Sequence, residues 1–259
     1  MVKIAIMNQK GGTGKTTSVL NIAGELTLRG KKVLVVDMDT QGNATDNLKL
    51  TQMSEKTLPD VIEDSSTSLT DCICKTSTEG LDIIQGGAIL GRAFDAIQKM
   101  IVGRDTVLRR LFSKFESDYD FVLFDCSPSL ESVLNINVLV ATDYVLIPIK
   151  VDKNSIEGYG TMLDTIQLVR ETMNPDLHAL GLFMTAVETG SSLDREMIEN
   201  LPAMLPDLAF KTSIRKNIDV RKAPIALLPL CYYNARATAA QDYAALTDEI
   251  LDRLSNWRD

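Results

Sequence analysis

The sequence is poor in the features that several functional classes require. No stretch approaches the roughly 20 consecutive apolar residues of a membrane-spanning helix. The first apolar run, Val2 to Met7, has strand length and leads straight into glycines, so no basic-then-apolar leader is read and a cytoplasmic location is expected. The four cysteines stand at 72, 74, 126 and 231. Cys72 and Cys74 alone are close, and Cys-x-Cys is neither a zinc nor a redox spacing, so reduced structural thiols are expected. The one histidine, His178, precedes the apolar run Ala179 to Val187 and reads as a strand-edge residue without a catalytic role. Basic excess is missing as well: a net charge of −8 argues against a general attraction to nucleic acid. No internal repeat or low-complexity linker interrupts the chain.

With 45% hydrophobic and 24% charged residues, the 259-residue chain can bury a substantial core. Short β-branched runs alternate with helix-period segments. Val2 to Met7, Val33 to Asp37, Phe121 to Asp125, Tyr144 to Val151 and Gly181 to Val187 read as buried strands, with Leu81 to Gln85 a weaker candidate. Val19, Ile22, Ala23 and Leu26 share one helical face. So do Ile156, Tyr159, Leu163, Ile166 and Val169, and later Tyr243, Leu246, Ile250 and Leu254. This alternation predicts an α/β fold, with a mainly parallel sheet and helices on both sides. Ligands of such sheets bind beyond the carboxyl ends of the strands. The polar stretch Thr51 to Thr78 reads as an insertion or mobile region, and composition supports no domain boundary.

Between the first strand and a helix starting near Gly14 or Lys15 lies Lys10-Gly-Gly-Thr-Gly-Lys-Thr-Thr17. Strand, glycine loop and helix in that order form a phosphate-binding context. Gly11, Gly12 and Gly14 allow backbone angles that turn successive N–H groups, with that of Thr13, onto phosphate oxygens. The helix N-terminus adds partial positive charge. Lys15 can reach the β- and γ-phosphates, Thr16 can hold Mg²⁺ and Thr17 can contact the α-phosphate. Two strand ends supply carboxylates: Asp37 and Asp39 after Val33 to Val36, and Asp125 after Phe121 to Phe124. Asp125 suits the metal side, while Asp37 and Asp39 divide metal support and water activation.

The loop KGGTGKTT resembles the deviant Walker A motif of the ParA/MinD ATPases, marked by the leading Lys10. Val33 to Thr45 is similar to that family's VDxDPQGNAT stretch, and Phe121 to Leu130 to its DCPPSL stretch. Val145 to Gly158, Thr212 to Pro224 and the final helix continue the resemblance in order, closest to the chromosomal and small plasmid ParA, or Soj-like, branch. It implies a three-layer α/β/α fold with a twisted sheet of P-loop NTPase (SIMIBI-type) topology. One ATPase domain would span residues 1–259, with no N-terminal helix-turn-helix domain because the loop starts at residue 10.

The resemblance also implies a mechanism. ATP with Mg²⁺ would close a homodimer in which Lys10 of each subunit reaches the other's phosphates, with Gly11 and Gly12 allowing the close approach. Asp39 would serve hydrolysis beside Asp37, and Asn217 and Pro224 would lie beside the adenine. The ATP dimer would bind DNA without sequence preference on the nucleoid, and a ParB-type partner would stimulate hydrolysis and release it. In this chain Thr40 and Ser127 replace prolines of the pattern, and Arg215-Lys-Asn-Ile-Asp219 places an acid where relatives often carry a basic residue. Thr189-Gly190-Ser191 precedes the segment where relatives commonly have an arginine. Lys216, Arg221, Lys222 and Arg195 are then the candidate DNA contacts, and weaker, more salt-sensitive binding is expected. The alternative is a MinD-like or other cargo-positioning ATPase that does not use DNA. Against membrane use, the terminal segment from Asp248 carries several acids that anionic lipid would repel, and Trp257 reads as a core or rim residue. An electron carrier like the nitrogenase iron protein would need a second cysteine placed like Cys126.

Overall fold

A computed structural model describes residues 1–129, 132–151 and 155–256, with residues 155–158 described only as helix backbone. Leu130, residues 152–154, the Ile156 side chain and Trp257 lie outside this description. In chain order the elements begin β1 (Val2–Ile6), α1 (Lys15–Leu28), β2 (Val33–Met38), α2 (Asn43–Asp46) and β3 (Leu50–Gln52). Next come α3 (Leu58–Glu63), β4 (Ile73–Thr76), β5 (Leu81–Ile84), α4 (Leu90–Gln98), α5 (Val107–Ser113) and β6 (Phe121–Cys126). The chain continues through α6 (Val133–Ala141), β7 (Tyr144–Lys150), α7 (Ser155–Thr172), β8 (His178–Thr185) and α8 (Ser192–Met204). It closes with α9 (Asp219–Lys222), α10 (Leu230–Asn234) and α11 (Thr238–Asn256).

Among the described residues, eight strands form one sheet in the order β3-β4-β5-β2-β6-β1-β7-β8. From β5 to β8 the pairings are parallel, and among the described strands β4 alone is reversed, pairing antiparallel with both β3 and β5. β2 and β6 are buried at every position, which is why they read as unbroken apolar runs ending in an acid. One core lies on the face covered by α1 and α11, where Val19, Ile22 and Leu26 meet Tyr243, Leu246, Ile250 and Leu254. The other packs α3 to α8 against the opposite face. The expected three-layer architecture is therefore present.

Two expectations need correction. The stretch Thr51 to Thr78 is an ordered extension of the sheet, carrying α3 and β4. Leu58, Val61, Leu69, Cys72 and Cys74 are buried within its polar sequence and anchor it. β8 starts at His178, as a strand-edge residue should, but stops at Thr185 because Ala186 takes a left-handed φ of 54°. Val187 instead bridges to Arg215. That outer segment covers the β8 edge, where Phe210 N donates to Leu182 O at 2.8 Å and Ile214 N to Met184 O at 2.8 Å. Arg253 of α11 pins it further, donating to Leu180 O and Leu208 O and lying 3.8 Å over the Phe210 ring.

α1 approaches α10 closely at Gly24. A Cβ there would fall 2.6 Å from Pro229 Cβ and 2.8 Å from the Cys231 sulfur. Gly24→Val is expected to lower stability by about 2–3 kcal/mol in urea titration, because neither neighbour is the free end of a flexible chain.

Candidate functional site

The phosphate-loop geometry begins where β1 ends. Met7 N donates to Leu146 O at 3.0 Å, and the buried Asn8 side chain donates to Pro148 O at 2.8 Å. The Asn8 carbonyl oxygen accepts from Lys10 N at 2.9 Å, so the loop leaves the sheet on a fixed heading. Gly12 and Gly14 then take φ values of 75° and 86°, which a side chain would strain. Among the described residues, no backbone N–H from Gly11 to Thr17 donates a hydrogen bond within the chain. A run of unpaired amides turned through left-handed glycines at a helix N-terminus is a concave anion receptor.

Below the loop sit buried ionisable groups, both acidic and basic. Parallel pairing aligns Asp125 with Ile6 on one side and Asp37 on the other. Asp125 is fully buried, and neither carboxylate oxygen has a hydrogen-bond partner of normal geometry. Burial pushes its pKa up to about 8, with Asp37 and Asp39 adding to the rise while the nearby Thr16 hydroxyl and Lys15 oppose it. Lys15 is shifted the other way, lowered by burial against the pull of Asp125 and Asp39. Its ammonium donates to Lys10 O at 3.2 Å. Cys126 is buried beside this group and its thiol is pushed well upward by burial, so it is an inert structural thiol, and all four cysteines are free and buried.

Asp37 and Asp39 are placed differently from each other. Asp37 accepts from Thr45 N at 2.9 Å, the Thr45 hydroxyl at 2.8 Å and Asp39 N at 3.1 Å. Burial nevertheless raises its pKa. Its hydrogen bonds fold the segment after β2 back on itself. Asp39 accepts from Gln41 N at 3.0 Å and lines a cavity of about 750 Å³ with Thr40, Phe94, Ser127 and Ser132. A second cavity, about 650 Å³ around Lys32, Asp82 and Tyr119, lies at the amino ends of β2 and β5, away from this chemistry.

These residues fit Mg²⁺. The orphaned Asp125 carboxylate and the Thr16 hydroxyl are hard oxygen donors. No cluster of three or more His, Cys, Asp or Glu able to hold a metal occurs among the described residues. A sparse protein donor set completed by phosphate and water oxygens is the usual magnesium arrangement.

The remaining candidates lie outside this centre. Pro224 and Thr17 line a cleft of about 20 Å³, too small for a purine in this form. The Asn217 side chain is engaged, accepting from Asp219 N at 2.8 Å and donating to the Thr238 hydroxyl at 2.9 Å. Of the basic candidates, Lys216 pairs with Glu188 at 2.6 Å and Lys222 with Asp219 at 3.2 Å. Arg195 and Arg221 are exposed and make no ion pair with the described residues. Arg215 is held by Asp242. Sequence reasoning missed Asn8 and Thr185, whose hydroxyl donates to Thr13 O at 2.8 Å. No local pattern signals either, because their partners lie across the sheet.

Comparison with known proteins agrees with the geometry. A family model described as an AAA domain matches residues 1–179. The chain is 35% identical to the sporulation initiation inhibitor protein Soj of Bacillus subtilis over 95% of its own length and 97% of that protein's. It is 32% identical to the chromosome partitioning protein ParA of Caulobacter vibrioides, covering 96% and 94% of the two chains. Among solved structures, the cobyrinic acid a,c-diamide synthase of Mycobacterium smegmatis with bound ATP analog and magnesium superposes with a TM-score of 0.81 at 26% identity. That match covers 98% of this chain and 96% of the other.

An ionisable carboxyl buried without a partner destabilises the ligand-free fold. Asp125→Asn is expected to stabilise the protein without divalent ions by about 1–3 kcal/mol in a denaturant titration. The same change should remove any thermal stabilisation by Mg²⁺ with nucleotide. A variant no more stable than the parent would show that the carboxyl carries no such strain.

Proposed function

The chain belongs to the Soj/ParA family of AAA-domain ATPases, and on that premise we propose that it is a Mg²⁺-dependent, ATP-hydrolysing partition switch, with residues 1–259 forming a single ATPase domain. The observation that carries the reading is the row of unpaired amides from Gly11 to Thr17 above the buried Lys15 and Asp125. These amides bind the phosphates, and Lys15 supplies positive charge to the β- and γ-phosphates. Thr16 and Asp125 hold the magnesium site, with Asp37 setting the neighbouring loop. Bound Mg²⁺ would neutralise charge on the transferring phosphoryl group. Asp39, at the edge of the open cavity, orients the attacking water. Pro224 lies beside the base once the cleft near Thr17 widens, and Asn217 joins it by exchanging its bond to Thr238.

Gly11 supports a homodimer in the ATP state. Its φ is not left-handed, and a Cβ there would meet nothing within 4 Å. Nothing among the described residues requires glycine at that position, whereas a second subunit approaching the loop would. In this dimer Lys10 of each subunit stabilises charge at the other's phosphates. A ParB-type partner speeds hydrolysis. The ATP dimer binds DNA without sequence preference through Lys216, Arg221, Lys222 and Arg195, placing it on the nucleoid within the cytoplasm. A membrane matrix is disfavoured by α11, whose apolar residues Tyr243, Leu246, Ile250 and Leu254 are already buried in the core. No described helix is long and apolar enough to cross a membrane.

Asp39→Ala with Mg-ATP is expected to accumulate as a dimer by light scattering and to retain duplex DNA at low salt. A stable dimer that leaves DNA unbound would remove DNA from the reading and favour another cargo-positioning role. Lys10→Ala is expected to lower partner-stimulated turnover by about 10²-fold, as loss of a transition-state donor does. Normal stimulated turnover would refute the role of Lys10 across the interface.

A further inference from the structure

We propose that Thr185 is a positioning residue for the phosphate loop, setting the direction of the Gly14 amide. The proposal rests on the nucleotide-binding reading above and adds a residue that the loop motif does not contain. Thr185 is the last residue of β8 and is 5% exposed. Its hydroxyl hydrogen is shared between Thr13 O at 2.8 Å and Ile149 O at 3.2 Å. The described chain has no cis peptide bonds, so the C=O and N–H of the Thr13–Gly14 peptide point in opposite directions. Drawing the Thr13 carbonyl toward β8 therefore turns the Gly14 N–H to the loop's other side, among the unpaired amides. The Thr185 side chain also lies 3.7 Å from where a Gly14 Cβ would stand, closing the space beneath the loop.

The backbone after Thr185 supports a positioning role. Ala186 has a left-handed φ of 54°, a conformation that disfavours any residue with a Cβ. It is held by bonds on both sides: Ile214 N to Met184 O at 2.8 Å, Val187 N to Ile214 O at 3.0 Å and Lys216 N to Val187 O at 2.8 Å. The strain ends β8 at the residue that touches the loop. Strained backbone that its surroundings enforce commonly marks a functional constraint.

An amide set before the ligand arrives contributes equally to the bound ground state and the transition state. It therefore acts on KM rather than on kcat. Thr185→Val keeps the shape and removes the donor, whereas Thr185→Ser keeps the donor. Thr185→Val is expected to weaken ADP and ATP binding alike by about five- to tenfold, measured with a fluorescent nucleotide well below the melting temperature. KM for ATP should rise by the same factor with kcat within about twofold, and Thr185→Ser should restore both affinities. If Thr185→Val does not fold, Thr185→Ala against Thr185→Ser isolates the hydroxyl in the same way. Unchanged affinity in Thr185→Val, or Thr185→Ala binding as tightly as Thr185→Ser, overturns the proposal. A parent protein that binds neither nucleotide would instead overturn the reading on which it rests.

Discussion

Lys15 and Asp125 are buried together at the carboxyl end of the sheet, and neither is fully compensated among the described residues. Keeping an ionised group out of water costs roughly several kcal/mol in real proteins, and burial accordingly moves both groups toward their neutral forms. The sheet enforces that arrangement, because β6 lies between β1 and β2 and Asp125 is in register with Ile6 and Asp37. The loop above adds left-handed glycines and a row of unpaired amides. A polyphosphate with a dication answers all of these demands at once. In the proposed arrangement the anion would take the amides and Lys15, while the cation would take Asp125. Ligand binding is then linked to stability, which is what a switch between two states needs.

The parts of this site that could be read from the sequence are those whose chemistry is local. The loop is eight consecutive residues, and the acids stand at the ends of β-branched runs, where a parallel sheet must present them. What escaped is set by pairings across the sheet. Asn8 is 140 residues from Pro148, and Thr185 is 172 from Thr13. The stretch Thr51 to Thr78 looked like an insertion because its few apolar anchors are spread among polar residues. The early end of β8 reflects strain at Ala186, which is unremarkable in sequence. Asp37 was paired with Asp39 by proximity, yet its oxygens are bonded to Thr45 and the Asp39 amide.

The two substitutions that depart from the family pattern near Asp39 are neighbours in space. Thr40 and Ser127 both line the cavity of about 750 Å³ that also contains Asp39. Each places a hydroxyl where the pattern has a proline ring, so the wall beside the proposed water site is more polar and its backbone less constrained. Ser129 and Ser132 extend that polar lining. A side chain entering this cavity would meet the Thr40 and Ser127 hydroxyls beside the rings of Phe94 and Pro128. Under the proposed function, an activator would then be selected beside the acid proposed to orient water.

The basic surface is the weakest part of the arrangement when one chain is considered alone. Exposed ion pairs such as Lys216–Glu188 and Lys222–Asp219 are screened by solvent and contribute little, so a DNA phosphate could replace either acid at small cost. The displaced carboxylate stays nearby, however, and offsets part of the gain. Affinity for duplex DNA falls with salt in proportion to the number of phosphates engaged. Contrary to the greater salt sensitivity expected from the sequence, a face with few uncommitted cations would therefore bind weakly and with a shallow salt slope, and be lost at modest ionic strength because little affinity is there to begin with. Two such faces joined in the proposed ATP dimer would engage twice as many phosphates, and linked contacts multiply rather than add. The neutralised surface thus suits the proposed switch: DNA binding becomes a property of the dimer, and hydrolysis need only separate the subunits to end it.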